Sequence, residues 1–351
     1  MTTVPSIDDL DESWLSRHLD LQGVRYVHVT SVGQGQVANC YRVSIHHDAG
    51  ETSVIAKVPS NDDVSRSTAQ LQHLYQREVS FYQLLAPSIA TRTPRCYFAE
   101  RDDHDNFLLL LEDLSPSAVI DQFVGISIGT AHAGLAALAG LHGPTYARTD
   151  LHDADWLGGV SEELRPLYSA VLPVLFDQFI ERYGARVGDD VRAMVLELKD
   201  RLGLFAGYTS AFPCVTHGDF RTDNLLIDAC DGTVALAVVD WQTVGVGSPL
   251  LDVAYFLTTS LTPEDCARDE FALLDYYLAK LSDYGVDIPV HVARQEFSRY
   301  TLQPIVMLVA ASVIVEQTER GDEMFLAMIE RAVVAATRWD AINELGHDAV
   351  G

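Results

Sequence analysis

Val215-Thr216-His217-Gly218-Asp219-Phe220-Arg221-Thr222-Asp223-Asn224-Leu225-Leu226-Ile227-Asp228 is the stretch whose reading decides the fold. A histidine, two acids and an amide sit together just ahead of an apolar run. A turn rich in Asp and Asn accepts such residues, and so does a metal site or a phosphoryl-transfer site. The rest of the chain has to choose.

Asp219 and Asn224 are separated by four residues, the D-x-x-x-x-N spacing of a phosphoryl-transfer loop. There the acid accepts the proton of the attacking hydroxyl, and the amide oxygen binds Mg2+. His217 stands two residues before Asp219 and reads as support for the loop rather than as a base. Arg221 is placed either to reach a transferring phosphoryl group or to form a salt bridge. Asp223 reads as a turn or solvent residue. Downstream, Ala235–Val239 is an apolar strand ending in Asp240-Trp241-Gln242. An acid at the end of a buried strand suits a second Mg2+ ligand, with a helix or turn cap as the alternative. Ser248-Pro249 reads as an N-cap followed by proline at the first helical position. Asp252 falls in that helix's first turn and is assigned support, for the helix start or for loop N–H groups.

Upstream, Ser31-Val32-Gly33-Gln34-Gly35-Gln36 lies between two strand-like runs. Gly33 and Gly35 would let backbone N–H groups approach phosphates, although an ordinary hairpin turn uses the same residues. No GK[ST] follows, so this is not a Walker loop. Lys57 is the lone charge in the apolar strand Ser53–Val58. It either faces solvent on an edge strand or reaches the α- and β-phosphates of a nucleotide. The next helical stretch, Ser65–Leu85, carries Leu71, Leu74, Tyr75, Tyr82 and Leu85 as an apolar stripe, and Glu78 falls on it. A carboxylate on a buried face is costly unless paired, and Lys57 is the obvious partner; the alternative is that Glu78 snorkels at the edge of the stripe.

The totals narrow the class. The chain has 351 residues and is 48% hydrophobic, enough for two lobes with substantial cores. Asp plus Glu is 50 against 24 Lys plus Arg, a net charge of -26, which disfavours nucleic acid and anionic membrane as partners. Cys40, Cys96, Cys214, Cys230 and Cys266 lie far apart with no CxxC pair, which fits a reducing cytoplasm and neither a zinc site nor a disulfide framework. The start lacks the charge and apolar pattern of a signal peptide. The most apolar run, Leu302–Val315, contains Pro304 and reads as a buried helix too short to span a bilayer.

Strand-like segments dominate Val24–Val58, and Phe107–Leu111 reads as a buried strand. After Ser115-Pro116 the pattern becomes helical: residues 127–142 ending near Gly143-Pro144, then about 161–183 and 188–206, and nearly everything beyond Pro249. The expected class is α+β, with a strand-rich part over 1–112 and a larger, mainly helical part over 113–351.

Together, Gly33/Gly35, Lys57, Glu78, the LLLLEDL segment, HGDFRTDN, VVDWQ and SPLLDVAYF resemble the aminoglycoside phosphotransferase and choline kinase-like family, the small-molecule branch of the protein kinase-like fold. The likeness runs from about Val27 to Phe256, and is similar also to ecdysteroid kinases. It implies a bilobal fold with ATP between a β-rich N-lobe and a helical C-lobe, and transfer of the γ-phosphoryl of ATP to a hydroxyl of a small molecule. Carried over by position, the catalytic base is Asp219, the metal ligands are Asn224 and Asp240, and the nucleotide-anchoring lysine is Lys57. Adenine would meet the backbone near Glu112–Leu114, at a hinge spanning Leu110–Leu114. Gln242 departs from the glycine that protein kinases carry there. The short interval from Trp241 to Pro249 leaves no room for an activation loop, which disfavours a protein acceptor.

Two rivals are weighed against this reading. A nucleotide-binding module without turnover would not need the full set Lys57, Glu78, Asp219, Asn224 and Asp240. A metallohydrolase using His217, Asp219, Asp223 and Asp240 would leave Lys57, Glu78 and the glycines without a role. The acids Glu264, Asp265, Asp269 and Glu270 would greet a cationic acceptor or form a solvated helix face. Tyr276, Tyr277 and Tyr300 would line an apolar acceptor site or pack in the core.

Overall fold

Alternating β-branched and aromatic residues between Tyr26 and Pro59 build the first three strands of an antiparallel sheet: β1 (Tyr26–Ser31), β2 (Ala38–His47) and β3 (Gly50–Pro59). With β4 (Cys96–Arg101) and β5 (Phe107–Glu112) the order is β1-β2-β3-β5-β4. In the computed structural model residues 4–32, 37–158, 165–228, 235–315 and 317–345 are described. The chain divides into two compact units, Met1–Ser117 with Ala237–Val244, and Ala118–Leu236 with Gly245–Gly351.

In the first unit, period-two alternation gives the sheet two different faces. Val43, Ile45, Val54, Ala56 and Val58 turn to one face and form a core with Leu108 and Leu110. Helix α1 (Glu12–Leu19) joins that core through Leu15, along with Val4 and Leu10. Its start is fixed by the Asp11 carboxylate, which accepts from the Trp14 N–H at 2.7 Å. Lys57 belongs to the other set of β3 residues and pairs with Cys40 on β2 and Leu109 on β5.

The helical stretch expected over Ser65–Leu85 is broken. Helix α2 (Asp63–Leu71) ends before His73, whose φ of 54° is left-handed, and α3 (Leu74–Ser80) begins afterwards. That residue interrupts the 3.6-residue register, so Leu71 leaves the apolar stripe and is 53% exposed. Beyond α3 the chain widens into a π turn over Phe81–Leu85, and the consecutive aromatics Phe81 and Tyr82 are both buried.

In the second unit, β6 (Ala118–Val119) pairs antiparallel with β8 (Leu225–Asp228), and β7 (Cys214–Thr216) with β10 (Gly245–Gly247). Strand β9 (Ala235–Val238) carries the chain from this unit back into the first. The helices are α4 (Ile128–Thr145), α5 (Thr149–His152), α6 (Arg165–Tyr183), α7 (Asp189–Ala206), α8 (Pro249–Ser260), α9 (Pro263–Ser282), α10 (Val290–Tyr300), α11 (Gln303–Ile314), α12 (Glu319–Arg338) and α13 (Ala341–Glu344). Helix α4 ends at Thr145, just past the expected Gly143-Pro144 stop, and includes Pro144 in its last turn. Phe176 and Phe179 of α6, Ile305 and Val309 of α11, Ile329 and Val333 of α12, and Tyr255 of α8 form one core. By length and composition Val290–Ile314 would cross a membrane, but it consists of α10 and α11, and most of it is buried in this unit.

Candidate functional site

The first unit gathers Lys57, Glu78 and Asp240 around one ammonium. Lys57 Nζ lies 2.7 Å from Glu78 Oε2 and 2.8 Å from Asp240 Oδ1. Glu78 comes from the buried face of α3, and Asp240 from the turn just after β9. One positive and two negative charges leave the group with an excess of one negative charge. Burial pulls the Lys57 ammonium down, but Asp240 and Glu78 outweigh it and hold it well above the ordinary lysine value. Burial raises the Glu78 carboxyl, against the Lys57 charge and a hydrogen bond from the Trp241 backbone.

Asp240 is held by its neighbours as much as by Lys57. Its φ of 65° is left-handed, a conformation that Asp tolerates better than most residues. The next residue, Trp241, is fully buried and stacks on Phe81 with ring centroids 3.9 Å apart and planes 7° apart. Its indole N–H donates to the Val238 carbonyl at 3.2 Å. An aromatic stack of this kind is worth about 1 kcal/mol beyond area burial, and it fixes the chain on both sides of the carboxylate.

At the end of β5 the acidic side chains are already engaged. Glu112 binds Arg92 at 2.7 Å and accepts the Arg95 N–H at 2.9 Å. Its own N–H donates to the Arg95 carbonyl at 2.8 Å, and the Leu114 carbonyl accepts from Ser117 at 2.9 Å. Asp113 is the most tightly held: it accepts from Arg42 Nε at 2.6 Å, Ser53 Oγ at 2.7 Å and the Ser115 N–H at 3.0 Å. Burial works against ionisation there, but these donors prevail and bring its pKa down to about 2. Sequence reading placed the hinge here without finding this clamp. Gly33 and Gly35 lie outside the described residues.

The second unit builds the loop that follows β7. Gly218 takes φ 82°, a left-handed turn that a side chain would strain, and so turns the chain out of the strand. The buried Asp252 of α8 holds the turn: Oδ2 accepts the His217 N–H at 2.6 Å and Oδ1 the Gly218 N–H at 2.9 Å. The assignment of Asp252 to loop support matches this geometry. Behind it, His142 of α4 lies with Nε2 3.1 Å from Asp252 and Nδ1 2.7 Å from the Tyr277 hydroxyl. His217 is wholly buried, and its Nδ1 accepts the Asp219 N–H at 3.3 Å.

Asp219 is then fixed from three sides. Asn224 Nδ2 donates to its carbonyl at 2.8 Å and to Oδ2 at 3.1 Å. Arg221 lies 3.2 Å from its carboxylate, and the Tyr255 hydroxyl hydrogen-bonds it as well. Arg221 also binds Asp223 at 2.6 Å, so Asp223 is an ion-pair partner rather than a plain solvent residue. Burial opposes the Arg221 charge, but Asp219 and Asp223 more than restore it. Asn224 Nδ2 is thus committed to Asp219, and its amide oxygen is the atom a hard cation would take. Thr222 donates to the buried Gln122, whose Nε2 donates to the Thr259 carbonyl at 2.7 Å. Arg331 binds the Gln122 and Phe123 carbonyls at 2.9 and 2.7 Å.

Tyr255 and Gln122 are the supports that sequence reading missed. Tyr255 was legible in part, because it lies three residues after Asp252 and so on the same helix face. Gln122 gave no signal. Among the helix acids, Glu270 is 2% exposed and bound by Arg338 at 2.9 Å, so it belongs to the interior. Tyr277 is likewise core.

Among the described residues no group of three or more His, Cys, Asp and Glu is placed to hold a metal by itself. Asp240 in the first unit and the Asn224 amide in the second each offer a hard oxygen of the kind Mg2+ takes, and excess negative charge surrounds Asp240.

A family model described as the ecdysteroid kinase-like family matches residues 33–288. A comparison with curated proteins gives no match. Among solved structures the chain is similar to the GDP complex of aminoglycoside 2'-phosphotransferase-IIIa, with 13% identity and a TM-score of 0.55 over 92% of this chain and 96% of that one. It is similar to choline kinase from Cryptosporidium parvum Iowa II, with 12% identity and a TM-score of 0.53 over 98% and 93%. A microcompartment-associated aminopropanol kinase gives 13% identity and a TM-score of 0.53 over 95% and 99%. At these identities the structures establish the kinase-like fold, with its antiparallel sheet and mostly helical remainder.

Proposed function

The chain belongs to the ecdysteroid kinase-like family, and from that premise we propose that it is an ATP- and Mg2+-dependent phosphotransferase acting on a hydroxyl of a small molecule. The observation that carries the proposal is the Lys57 ammonium bound at 2.7 Å by Glu78 and at 2.8 Å by Asp240. A buried lysine held by one enclosed carboxylate and one partly open carboxylate is a preformed cation for a polyphosphate.

In this reading Lys57 binds the nucleotide phosphates and Glu78 holds its ammonium in place. Gly33 and Gly35 cover the phosphates, and the backbone at Glu112–Leu114 receives adenine. Asp240 and the Asn224 amide oxygen would hold Mg2+, which when bound screens the phosphate charge. Asp219 accepts the hydroxyl proton as the oxygen–phosphorus bond forms and the bond to the ADP oxygen breaks. Its bonds to Asn224, Arg221 and Tyr255 set the carboxylate's direction, so the chain contributes mainly positioning. Arg221 adds positive charge beside the transferring group. The acidic loop carboxylates are bound by protein donors, which supports this reading over a hydrolase that would use them as metal ligands.

The test is an ATP-consumption screen of the wild type and Asp219→Ala against aminoglycosides, amino alcohols, sugars, sterols and hydroxyacyl compounds. ADP formation that depends on one acceptor class and disappears in Asp219→Ala is the expected result. Nucleotide binding without consumption across every class would replace the enzyme with a nucleotide-binding module. Full turnover by Asp219→Ala would remove Asp219 as the base.

A further inference from the structure

Gln242 occupies a position where a glycine would have no side chain to offer, and here the side chain has a definite partner. Its Nε2 donates to Asp240 Oδ2 at 3.2 Å, while Lys57 donates to Oδ1 of the same carboxylate at 2.8 Å. We propose that Gln242 is a positioning residue that fixes the rotation of the Asp240 carboxylate and thereby sets the affinity of the site for a divalent cation. The inference rests on Asp240 being a metal ligand, as read above.

The physical case starts from the softness of a carboxylate. The terminal torsion of Asp is broad, so a single bond to one oxygen leaves the plane free to turn. The Asp240 side chain is 29% exposed, so packing alone does not enclose it. Its backbone is already fixed by the left-handed turn and by the Trp241–Phe81 stack. What remains to be set is the carboxylate plane, and donors on both oxygens set it. A cation bound to Asp240 would meet a carboxylate whose plane the Gln242 bond on Oδ2 already holds.

The choice of an amide matters for charge. Lys57, Glu78 and Asp240 already carry one excess negative charge, and a glutamate at 242 would add a second without donating a hydrogen bond. Gln donates the bond and adds no charge. Outer partners that orient metal-ligating groups change metal affinity by about 10–100-fold when removed.

The experiment titrates Mn2+ into the full-length protein saturated with ADP, reading free Mn2+ by electron paramagnetic resonance. Gln242→Met and Gln242→Leu keep the side-chain bulk and remove the donor; Asp240→Asn is the control. The Mn2+ Kd is expected to rise about tenfold or more in both Gln242 variants, with Tm and the Kd for metal-free ADP unchanged. An unchanged Mn2+ Kd in both, or an equal loss of metal-free ADP binding, would overturn the inference. If Asp240→Asn also bound Mn2+ as tightly as the wild type, the reading of Asp240 as a ligand would fall first. A loss in Asp240→Asn alone would sink only the role of Gln242.

Discussion

Glu78 Oε2 lies 2.7 Å from the Lys57 ammonium, and the two side chains are 2% and 11% exposed. Removing Lys57 strands the buried Glu78 carboxylate, whereas removing Glu78 leaves the ammonium still paired with Asp240. Lys57→Ala is expected to cost about 3–5 kcal/mol in urea unfolding, and Glu78→Ala less. Lys57→Met with Glu78→Leu is expected to recover much of that stability without recovering nucleotide affinity. A double variant no more stable than the singles would show that the pair is not the unit.

Asp219→Asn retains the shape of the loop and removes the proton acceptor. Once an acceptor substrate is found, kcat should fall by about 10²–10⁴-fold. ADP binding by calorimetry should match the wild type, because the change leaves Lys57 and Asp240 in place.

Asp252 satisfies two loop N–H groups at once. Asp252→Ala leaves both without their acceptor in the interior, and unfolding free energy should drop by about 3 kcal/mol. Asp252→Asn keeps one acceptor oxygen and should lose less. Both should lower kcat more than they weaken ADP binding, since the loop they hold also carries Asp219.

Asp113 gives the pH dependence. Its pKa of about 2 lies below the ordinary carboxylate value, so the folded chain binds this proton less readily than the unfolded chain. Its contribution is complete above the unfolded pKa of 3.8 and is lost as pH falls from there through about 2. Asp113→Asn should lower stability at pH 7 and flatten the stability profile across that acid window. A variant with the wild-type slope there would show that Asp113 does not contribute it.

The Tyr82 hydroxyl is buried with no hydrogen-bond partner among the described residues. Tyr82→Phe removes a polar group that burial penalises, so Tm should hold or rise, by the equivalent of up to about 1 kcal/mol. A loss above that would mean that an ordered water satisfies the hydroxyl.

How much of this was legible depended on range along the chain. Asp219 and Asn224 share one loop, and their spacing already put them together, with a salt bridge as one of two readings of Arg221; the Arg221–Asp223 ion pair was not foreseen. Ser248 and Pro249 open α8 as a cap and a first-turn proline, because both signals act within a few residues. The Lys57–Glu78 pair was reached by argument, since a carboxylate on a buried helix face needs a cation. Leu71 was misread because the left-handed residue at His73 breaks the register, and a periodic pattern does not reveal that turn. The Arg42–Asp113 clamp and the Thr222–Gln122 bond left no trace, because exposed and buried polar residues look alike in a sequence.

The sequence alone determined the strand alternation, the loop spacing, the Ser248-Pro249 helix start and the cost of an unpaired Glu78 on a buried face, for which Lys57 was the obvious partner. Each follows from backbone period, local capping or the cost of burying a charge. Only the tertiary structure decided that Lys57 also binds Asp240, 183 residues away, that Asp252 holds the His217–Gly218 turn, and that Gln242 reaches the second Asp240 oxygen. Burial dictates that a polar group must find a partner. Which partner it finds depends on how distant elements pack.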